Sequence, residues 1–285
     1  MKILVKTNYE KPGSVDATRR TLAKLIELGH TPMVIDELPD EAGSLKGVII
    51  GSFPDLLSEC DILITIGGDG TILHAVSEMK GCRKPILGIN TGRIGFLTQL
   101  EADELDKLNL LGSGGYSTLM RMMMEITLVK KERVQVIHAL NDAVLSRGNS
   151  DRLVEIAVSG SQGHVVTHRG DGVIFSTPTG STAYSLSAGG SIVHPSLEVI
   201  LITAICPHSP FSSSLILPPH ETYSAVEILG NNQGGLIVTI DGIRFGTLHS
   251  GEYIKITKSA RSIPFIDLGV RDFYSCVAQK LSFGR

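Results

Sequence analysis

The residues best suited to chemistry are Gly67-Gly68-Asp69-Gly70-Thr71, in which three glycines surround one carboxylate. Glycines let the backbone approach a ligand closely, and backbone N–H groups at a helix start favour an anion such as phosphate. A carboxylate there repels phosphate unless it has a task, so Asp69 could hold a magnesium ion or take a proton from an attacking hydroxyl. The alternative is an ordinary turn with a helix-capping aspartate.

The segments on either side of this stretch predict a strand-to-helix corner. Residues 61–66 form a short, largely apolar run that is rich in β-branched side chains, and residues 72–79 have apolar side chains at helical spacing. Ligands bind at the carboxyl ends of strands in an open α/β sheet, which is where this corner would lie. Residues 88–97 bring further glycines and Arg93 after the next predicted strand, as a second wall of the same crevice or as a surface turn.

A polar pair, Asn141 and Asp142, interrupts an otherwise apolar stretch between Leu140 and Leu145. Polar side chains in such a context are costly to bury unless they have partners. An amide beside a carboxylate could hold the two hydroxyls of a ribose, and the alternative is a β-bulge or turn.

The stretch Arg169-Gly-Asp-Gly172 repeats the combination of glycine and aspartate. Arg169 offers a planar fork for phosphate or carboxylate, and Asp171 can accept hydrogen bonds from an amide or a hydroxyl. The alternative is an ordinary Asp-Gly hairpin.

The stretch Thr177–Gly190 is the least ordinary part of the chain, with seven hydroxyl side chains and three glycines among fourteen residues. We expect a helix to begin at Gly180-Ser181, with Thr182, Tyr184 and Ser187 facing one region. Small hydroxyl groups and one aromatic ring suit an adenine and its sugar. A Ser/Thr-rich loop is the alternative.

The order of the segments predicts two domains and a returning tail. Strand and helix alternate over residues 2–110, which predicts an α/β domain with a parallel sheet. Short β-type runs follow from residue 117, which predicts an all-β, sandwich-like domain. A helix is predicted at 272–281 and is expected to pack back on the first domain. The predicted boundaries are 1–116, 117–260 and 261–285.

The individual elements are predicted from the same periodicity. The first domain is expected to contain a helix at 14–28 and strands at 2–7, 32–36, 47–50, 61–66 and 85–90. The second is expected to contain strands at 118–130, 134–147, 153–159, 164–175, 199–206, 224–229, 235–241 and 252–258.

The composition argues against several classes of protein. The formal net charge of the 285 residues is −3 and no long basic run occurs, which argues against a nucleic-acid partner. The longest apolar run, Val199–Cys206, is too short to span a bilayer, so no membrane partner is expected. The four cysteines lack metal-binding spacing and the N-terminus lacks a signal peptide, which together predict a cytoplasmic location.

Taken together, Gly67–Thr71, Asn141-Asp142 and above all Thr177–Gly190 resemble the NAD kinases, and the resemblance extends over essentially the whole chain. It implies an α/β domain and a β domain with the active site between them, in a homodimer or homotetramer whose neighbouring subunit helps to complete the site. The implied reaction transfers a phosphoryl group from ATP to the 2′-hydroxyl of the adenosine ribose of NAD and yields NADP. A divalent metal ion, Mg²⁺, is the implied cofactor.

The resemblance also implies a role for each candidate residue, with Asp69 as the base that takes the 2′-hydroxyl proton. Phosphate contacts are implied for Gly67, Gly68, Gly70 and Thr71. NAD contacts are implied for Asp69, Gly70, His74, Asn141, Asp142, Arg152, Arg169, Asp171, Thr182, Ala183, Tyr184, Ser185, Leu186 and Ser187. In this set His74 lies near the phosphates, the Asn-Asp pair holds the ribose, and residues 182–187 line the adenosine pocket. The two arginines and Asp171 contact ligand across the subunit boundary.

Two positions depart from the family pattern. Asp142 stands where the family usually has glutamate, which shortens the side chain by one methylene but keeps its charge. Ile243 follows Asp241-Gly242 at a position where glutamine is common, so no polar contact is assigned to it.

Three other classes share part of these features. Lipid kinases of the diacylglycerol and sphingosine type carry a similar glycine–aspartate turn, but residues 177–190 lack apolar character that would suit an acyl chain. A non-catalytic NAD or NADP sensor would not need a carboxylate at position 69. A dehydrogenase is disfavoured because G-x-G-x-x-G is absent. The sequence leaves open whether polyphosphate replaces ATP, whether NADH is accepted, the oligomer size and any feedback regulation.

Overall fold

The computed structural model describes residues 1–35, 39, 46–92, 95–148, 150–208, 213–228 and 234–282. The chain forms two compact units. Unit one comprises Met1–Met120 together with the segment from Ile263 to the C-terminus, and unit two comprises Arg121–Ser262.

Unit one contains a parallel sheet. Its strands are β1 (Lys2–Thr7), β2 (Thr31–Ile35), β3 (Ile49–Gly51), β4 (Ile62–Gly67), β5 (Ile86–Asn90) and the two-residue β6 (Leu100–Glu101). Their spatial order is β3-β2-β1-β4-β5, and β6 also pairs with β5. All six residues of β4 are buried. A strand that is buried in this way has a continuous apolar sequence, which is the pattern that predicted it.

The helices are α1 (Ser14–Glu27), α2 (Phe53–Glu59), α3 (Asp69–Glu78), α4 (Asn109–Gly112), α5 (Tyr184–Ser187) and α6 (Phe273–Ser282), of which α5 belongs to unit two. In α1, the side chains of Ala17, Leu22 and Leu25 are fully buried and share one core with the strands of the parallel sheet. Gly29 ends this helix with a φ of +74°, a conformation that glycine adopts at little cost.

The predicted strands of unit one and helix α1 form within two residues of their predicted bounds, whereas α3 begins three residues before residue 72. Residue 36, the predicted end of the second strand, lies outside the described residues. Helix α2 was not predicted, because a seven-residue helix with only Leu56 and Leu57 buried is too short to show a 3.6-residue period.

Unit two consists mainly of antiparallel strands. They are β7 (Ser117–Val129), β8 (Val134–Ala139), β9 (Asp142–Ser146), β10 (Val154–Gly160), β11 (Gly163–Gly170), β12 (Gly172–Ser176), β13 (Ile200–Ile205), β14 (Leu215–Leu217), β15 (Tyr223–Glu227), β16 (Leu236–Ile240), β17 (Ile243–Leu248) and β18 (Tyr253–Asp267). One sheet has the order β14-β13-β12-β9-β16-β17. The other strands of unit two belong to a second sheet, in the order β11-β10-β15-β18, and β7 pairs with both β18 and β8.

Side chains from both sheets of unit two meet in one core. Ile156 and Ala225 come from one sheet, Phe175 and Val238 come from the other, and all four are fully buried in the same cluster. Two packed antiparallel sheets are a sandwich-like arrangement. The predicted fold class, an α/β part with a parallel sheet and an all-β part, is therefore confirmed.

The stretch 134–147, predicted as one strand, is two strands in different sheets. Strand β8 ends at Ala139 and pairs with β7, whereas β9 begins at Asp142 and pairs with β12 and β16. Leu140 and Asn141 form the corner between the sheets. The polar pair in the sequence lies at this change of sheet. Because apolar residues lie on both sides of the pair, the whole stretch resembles a single strand.

The stretch 164–175 is likewise two strands, β11 and β12, separated at Asp171. The alternative interpretation as an Asp-Gly hairpin is wrong, because β11 pairs with β10, whereas β12 pairs with β9 and β13. The chain passes from one sheet to the other here at close backbone contact. A Cβ on Gly172 would lie 2.2 Å from the carbonyl oxygen of Leu145, so only glycine fits.

Strand β18 is longer than predicted, because its last residues belong to unit one, where Phe265 pairs in parallel with Ile86 of β5. Helix α6 forms where it was predicted and belongs to unit one, in which Lys280 Nζ lies 4.0 Å from the centroid of the Phe96 ring. Within the described ranges, none of the helices combines the length and the apolar character needed to cross a bilayer.

Candidate active site

The corner between β4 and α3 depends on Gly67. This residue has a φ of +152°, which side chains rarely adopt, and a Cβ on it would lie 2.2 Å from Thr71 Oγ1. Helix α3 begins at Asp69, three residues earlier than the apolar spacing of residues 72–79 indicated. The hydroxyl oxygen of Thr71 is buried and has no hydrogen-bond partner within the part of the chain that the structure describes. The Thr71 hydroxyl is therefore a buried polar group next to the glycine backbone that a ligand could satisfy.

The carboxylate of Asp69 is held by the loop that follows β5. Its Oδ2 accepts the backbone N–H of Phe96 at 2.8 Å, and its Oδ1 accepts that of Leu97 at 3.1 Å. Gly95 permits this approach, since a Cβ there would lie 2.2 Å from Asp69 Oδ1. Two N–H donors fix the orientation of a half-buried carboxylate and leave further lone pairs available.

The loop after β5 therefore contacts Asp69, although its Arg93 lies outside the described residues. Sequence reasoning missed Phe96 and Leu97, because the groups that bind Asp69 are backbone amides, which carry no side-chain signal. His74 lies on α3, exposed, with its Nδ1 3.5 Å from Glu78 Oε1. Its implied contact with phosphate stays a prediction.

The second constellation lies in unit two, at the corner between β8 and β9. One carboxylate, that of Asp241, accepts three successive backbone N–H groups. Oδ2 accepts that of Leu140 at 2.8 Å, and Oδ1 accepts those of Asn141 at 2.8 Å and Asp142 at 3.0 Å. Asp241 reaches this position from the two-residue turn between β16 and β17, where its φ is +46° and that of Gly242 is +81°. This is the combination that a type I′ hairpin turn requires.

The two polar side chains at this corner are buried. The Oδ1 atom of Asn141 is buried and has no hydrogen-bond partner among the described residues. The Asp142 side chain is likewise buried, and burial first, then the charge of Asp241, raise the pKa of Asp142 from 3.8 to about 7. Burial also raises the pKa of Asp241, but its three N–H donors favour the charged form. Of the two carboxyls, that of Asp241 therefore has the better-stabilised charged form.

Replacing Asp142 by asparagine is expected to change how stability depends on pH. The folded pKa of Asp142, about 7, lies above the unfolded value of 3.8. The contribution of Asp142 to the stability of the folded state is therefore fully present below about pH 4. It is lost as the pH rises from there to about 7. Each pKa unit corresponds to roughly 1.4 kcal/mol. Urea unfolding from acidic to mildly basic pH should show the parent chain losing more stability than the variant. Parallel pH curves for the two proteins would contradict the shifted pKa.

The turn that begins at Thr177 packs directly on the same corner. Thr177 Oγ1 donates to the carbonyl oxygen of Leu140 at 2.6 Å and accepts the backbone N–H of Gly180 at 3.1 Å. A Cβ on Gly180 would lie 2.2 Å from the carbonyl oxygen of Asn141. The hydroxyl-rich stretch and the Asn-Asp pair, 36 residues apart in sequence, thus form one assembly in unit two.

The predicted helix from Gly180 is interrupted. A 3₁₀ turn covers Gly180–Thr182, Ala183 leaves helical geometry with φ −98° and ψ −129°, and α5 is only one turn long. The side chain of Tyr184 is 46% exposed, and Ser187 is also exposed. Ser185 is fully buried, and its hydroxyl pairs with that of Thr203 at 2.9 Å. This hydroxyl is therefore used inside unit two, while those of its neighbours stay closer to the surface.

Thr182, Ala183 and Leu186 of the same stretch are half-buried. Three other predicted site residues lie on or near β10 and β11 of unit two. Arg152 and Arg169 are exposed, and Asp171 Oδ1 accepts Arg147 Nε–H at 2.7 Å. Arg147 was not identified from the sequence, since a lone arginine after a strand has no distinctive context. The Asp171–Arg147 pair gives that carboxylate a partner inside unit two.

The fold and these two constellations define a nucleotide kinase with an α/β unit and a β unit. The family model for the ATP-NAD kinase N-terminal domain matches residues 51–110, and that for the C-terminal domain matches residues 140–268. The NAD kinase of Caldanaerobacter subterraneus subsp. tengcongensis is 37% identical over 99% of both chains. That of Natranaerobius thermophilus is 37% identical over 98% of this chain and 96% of the relative. The chain belongs to the NAD kinase family.

Two solved structures have the same fold. Yeast NADH kinase complexed with NADH has a TM-score of 0.89 at 30% sequence identity, covering 99% of this chain and 88% of the yeast chain. An NAD kinase from Archaeoglobus fulgidus in complex with ATP has a TM-score of 0.71 at 23% identity, covering 98% and 99% of the two chains. The second likeness concerns the fold alone.

Proposed function

We propose that this protein transfers the γ-phosphoryl group of ATP to the 2′-hydroxyl of the adenosine ribose of NAD, producing NADP. The observation that carries the proposal is the Asp69 carboxylate, which two backbone amides orient at the end of β4 beside a glycine-lined backbone. Full-length relatives at 37% identity that are NAD kinases support the same reaction.

Asp69 acts as the general base in this proposal. A carboxylate oxygen takes the proton of the 2′-hydroxyl as that oxygen forms its bond to the γ-phosphorus, and the bond from the γ-phosphorus to the bridging oxygen of ADP breaks. Because the transition state of phosphoryl transfer is loose, the alignment of the hydroxyl matters more than the basicity of Asp69. The Phe96 and Leu97 amides supply that alignment by fixing the carboxylate.

The Asn141–Asp142 corner holds the ribose. The buried and unpartnered Oδ1 of Asn141 and the buried carboxyl of Asp142 are groups that a pair of sugar hydroxyls would satisfy. Tyr184 stacks on adenine, while Thr182, Ala183, Leu186 and the other residues of that stretch line its pocket. The backbone of Gly67, Gly68, Gly70 and Thr71 contacts phosphate, with His74 nearby.

A divalent metal ion, Mg²⁺, fits the donor set as an ion shared with the substrate's phosphates. No group of three or more His, Cys, Asp or Glu side chains able to hold a metal occurs among the described residues. Mg²⁺ is commonly bound by one or two carboxylates plus phosphate oxygens and water, and Asp69 retains lone pairs for such a contact. When bound, the ion would neutralise negative charge on the transferring phosphates.

Two further properties are proposed from the family resemblance. The protein forms a homodimer or homotetramer, in which Arg152, Arg169 and Asp171 contact ligand held by a neighbouring subunit, and light scattering would give its size. All four cysteines are free thiols, which supports a reducing cytoplasmic location.

The reaction is tested by incubating the purified chain with NAD, Mg²⁺ and either ATP or inorganic polyphosphate, and by measuring NADP enzymatically. We expect NADP to form with ATP and not to form without a donor. Absence of NADP with both donors would overturn the proposed function. Diacylglycerol in place of NAD tests the lipid-kinase alternative in the same assay.

NADH is a second candidate acceptor. The observation that favours it is the likeness to yeast NADH kinase complexed with NADH, at 30% identity and a TM-score of 0.89. The adenosine half, which the proposed pocket contacts, is the same in NAD and NADH. Parallel measurements of kcat/KM for NAD and NADH would establish which of them the enzyme prefers.

Replacing Tyr184 by alanine is expected to weaken NAD binding about 5- to 150-fold, because base–aromatic stacking contributes roughly 1–3 kcal/mol. The loss of stability should be small, since 46% of this side chain is exposed. Calorimetric titration with NAD checks the affinity, and thermal unfolding checks the stability. Tyr253→Ala, in strand β18 of the same unit, is the control and should leave NAD affinity unchanged. Equal affinities for Tyr184→Ala and the parent chain would reject the stacking role.

A further inference from the structure

The three amides that Asp241 accepts belong to consecutive residues at the point where the chain changes sheets. Consecutive amides of a regular strand point alternately to opposite sides, so a single carboxylate can reach all three only if the backbone is bent there. The residue as a whole is half-buried, but its carboxyl group is surrounded by these donors. A turn residue of β16–β17 therefore fixes the curvature between β8 and β9.

The bend leaves a buried polar atom of the same corner without a partner. Asn141 Oδ1 is buried with no hydrogen bond from any described residue, and the Asp142 side chain beside it is buried as well. Buried polar groups that lack partners are rare and call for an explanation. At this corner Asp241 accepts the backbone N–H groups. The side chains of Asn141 and Asp142 are therefore not needed to hold the bend and can bind a ligand.

We propose, on the basis of the function proposed above, that Asp241 is a positioning residue: its carboxylate holds the backbone of Leu140–Asp142 so that the Asn141 amide and the Asp142 carboxyl both face the substrate's ribose. Asp241 itself does not contact the substrate. It acts on the reaction through the ribose-binding pair.

The same contact couples ribose binding to pH. The neighbours of Asp142 on the adjacent elements are Ser176, its register partner on β12, and Thr177, whose N–H donates to the carbonyl oxygen of Asn141. The charged group that acts on Asp142 is Asp241. An ionised carboxylate accepts hydrogen bonds from two sugar hydroxyls, whereas the protonated form loses part of that capacity. Because burial and Asp241 raise the pKa of Asp142 to about 7, NAD affinity should rise as the pH increases through neutrality.

The variant Asp241→Asn tests the proposal. It keeps Oδ1 as an acceptor for two of the amides but turns an NH₂ group toward the N–H of Leu140, and it removes the charge beside Asp142. We expect NAD affinity, measured by calorimetric titration without ATP, to fall about 10- to 100-fold at mildly basic pH. The midpoint of its pH dependence should move to lower pH, since a neighbouring negative charge is gone. The KM for ATP should change by less than about twofold.

Glu252→Gln is the matched control. Glu252 is also a carboxylate of unit two that accepts backbone N–H groups, from His249 at 2.8 Å and Lys131 at 3.3 Å, but it lies outside the ribose-binding corner. It should bind NAD like the parent chain, with the same pH midpoint. A merely structural contribution of an amide acceptor would lower stability in both variants but would not lower NAD affinity in either.

A measurement on the parent chain keeps the proposal falsifiable if Asp241→Asn does not fold. The amide hydrogens of Leu140, Asn141 and Asp142 should exchange slowly without ligand, and exchange as fast as that of exposed turns would overturn the proposal. A folded Asp241→Asn chain with unchanged NAD affinity and pH midpoint would also overturn it, while leaving the proposed function intact. A parent chain that binds no NAD would instead overturn the proposed function.

Discussion

Replacing Asp69 by asparagine is expected to lower kcat for NADP formation by about 10²- to 10⁴-fold, the range that a general base typically contributes. An amide cannot take the 2′-hydroxyl proton, but its oxygen can still accept one of the two N–H groups that hold the carboxylate. The fold should therefore persist, and the KM for NAD should change much less than kcat. Steady-state kinetics with ATP and NAD provide the measurement.

Asp103→Asn is a suitable control, because Asp103 is an exposed carboxylate of the same unit and lies outside the glycine stretch. It should have the turnover of the parent chain. Near-normal turnover in Asp69→Asn would reject Asp69 as the base, and the two amides would then be holding a carboxylate with a structural role. Circular dichroism of both variants separates lost catalysis from lost folding.

Replacing Gly180 by alanine is expected to abolish measurable NAD binding and to destabilise the protein by roughly 3 kcal/mol, the upper end of what overpacking costs. A Cβ there would lie 2.2 Å from the oxygen, 2.5 Å from the carbonyl carbon and 2.7 Å from the Cα of Asn141. All three are backbone atoms, so a rotamer change cannot relieve the overlap. The Thr177 turn and the Asn141–Asp142 corner must move apart instead.

Gly160→Ala is the matched control in the same unit, since its Cβ would contact only side-chain atoms of Glu221 and Tyr223, at 3.3 Å. Urea unfolding and NAD titration of both variants make the comparison. If Gly180→Ala unfolds at the urea concentration of the parent chain and binds NAD equally well, the close approach of the two segments is not required. The proposed ribose site would then need a different support.

The strands of unit two were harder to predict from the sequence than the elements of unit one. The buried strand β4 and the amphipathic helix α1 have local sequence patterns that identify them, because burial of a whole strand or one helix face dictates an apolar run or a 3.6-residue period. A change of sheet has no such period. Two apolar strands separated by one or two residues therefore look like a single strand.

The sequence alone determined the class of each unit, the glycine-lined corner with Asp69, and the polar pair at Asn141-Asp142, because residue type and spacing carry that information. The tertiary structure decided which groups hold these residues. The amides of Phe96 and Leu97 reach Asp69 from 27 and 28 residues away, and Asp241 reaches the Asn-Asp corner from about 100 residues away. Backbone donors have no sequence signature, and an Asp-Gly turn looks the same whether its carboxylate faces water or three buried amides, so only the folded chain reveals these contacts.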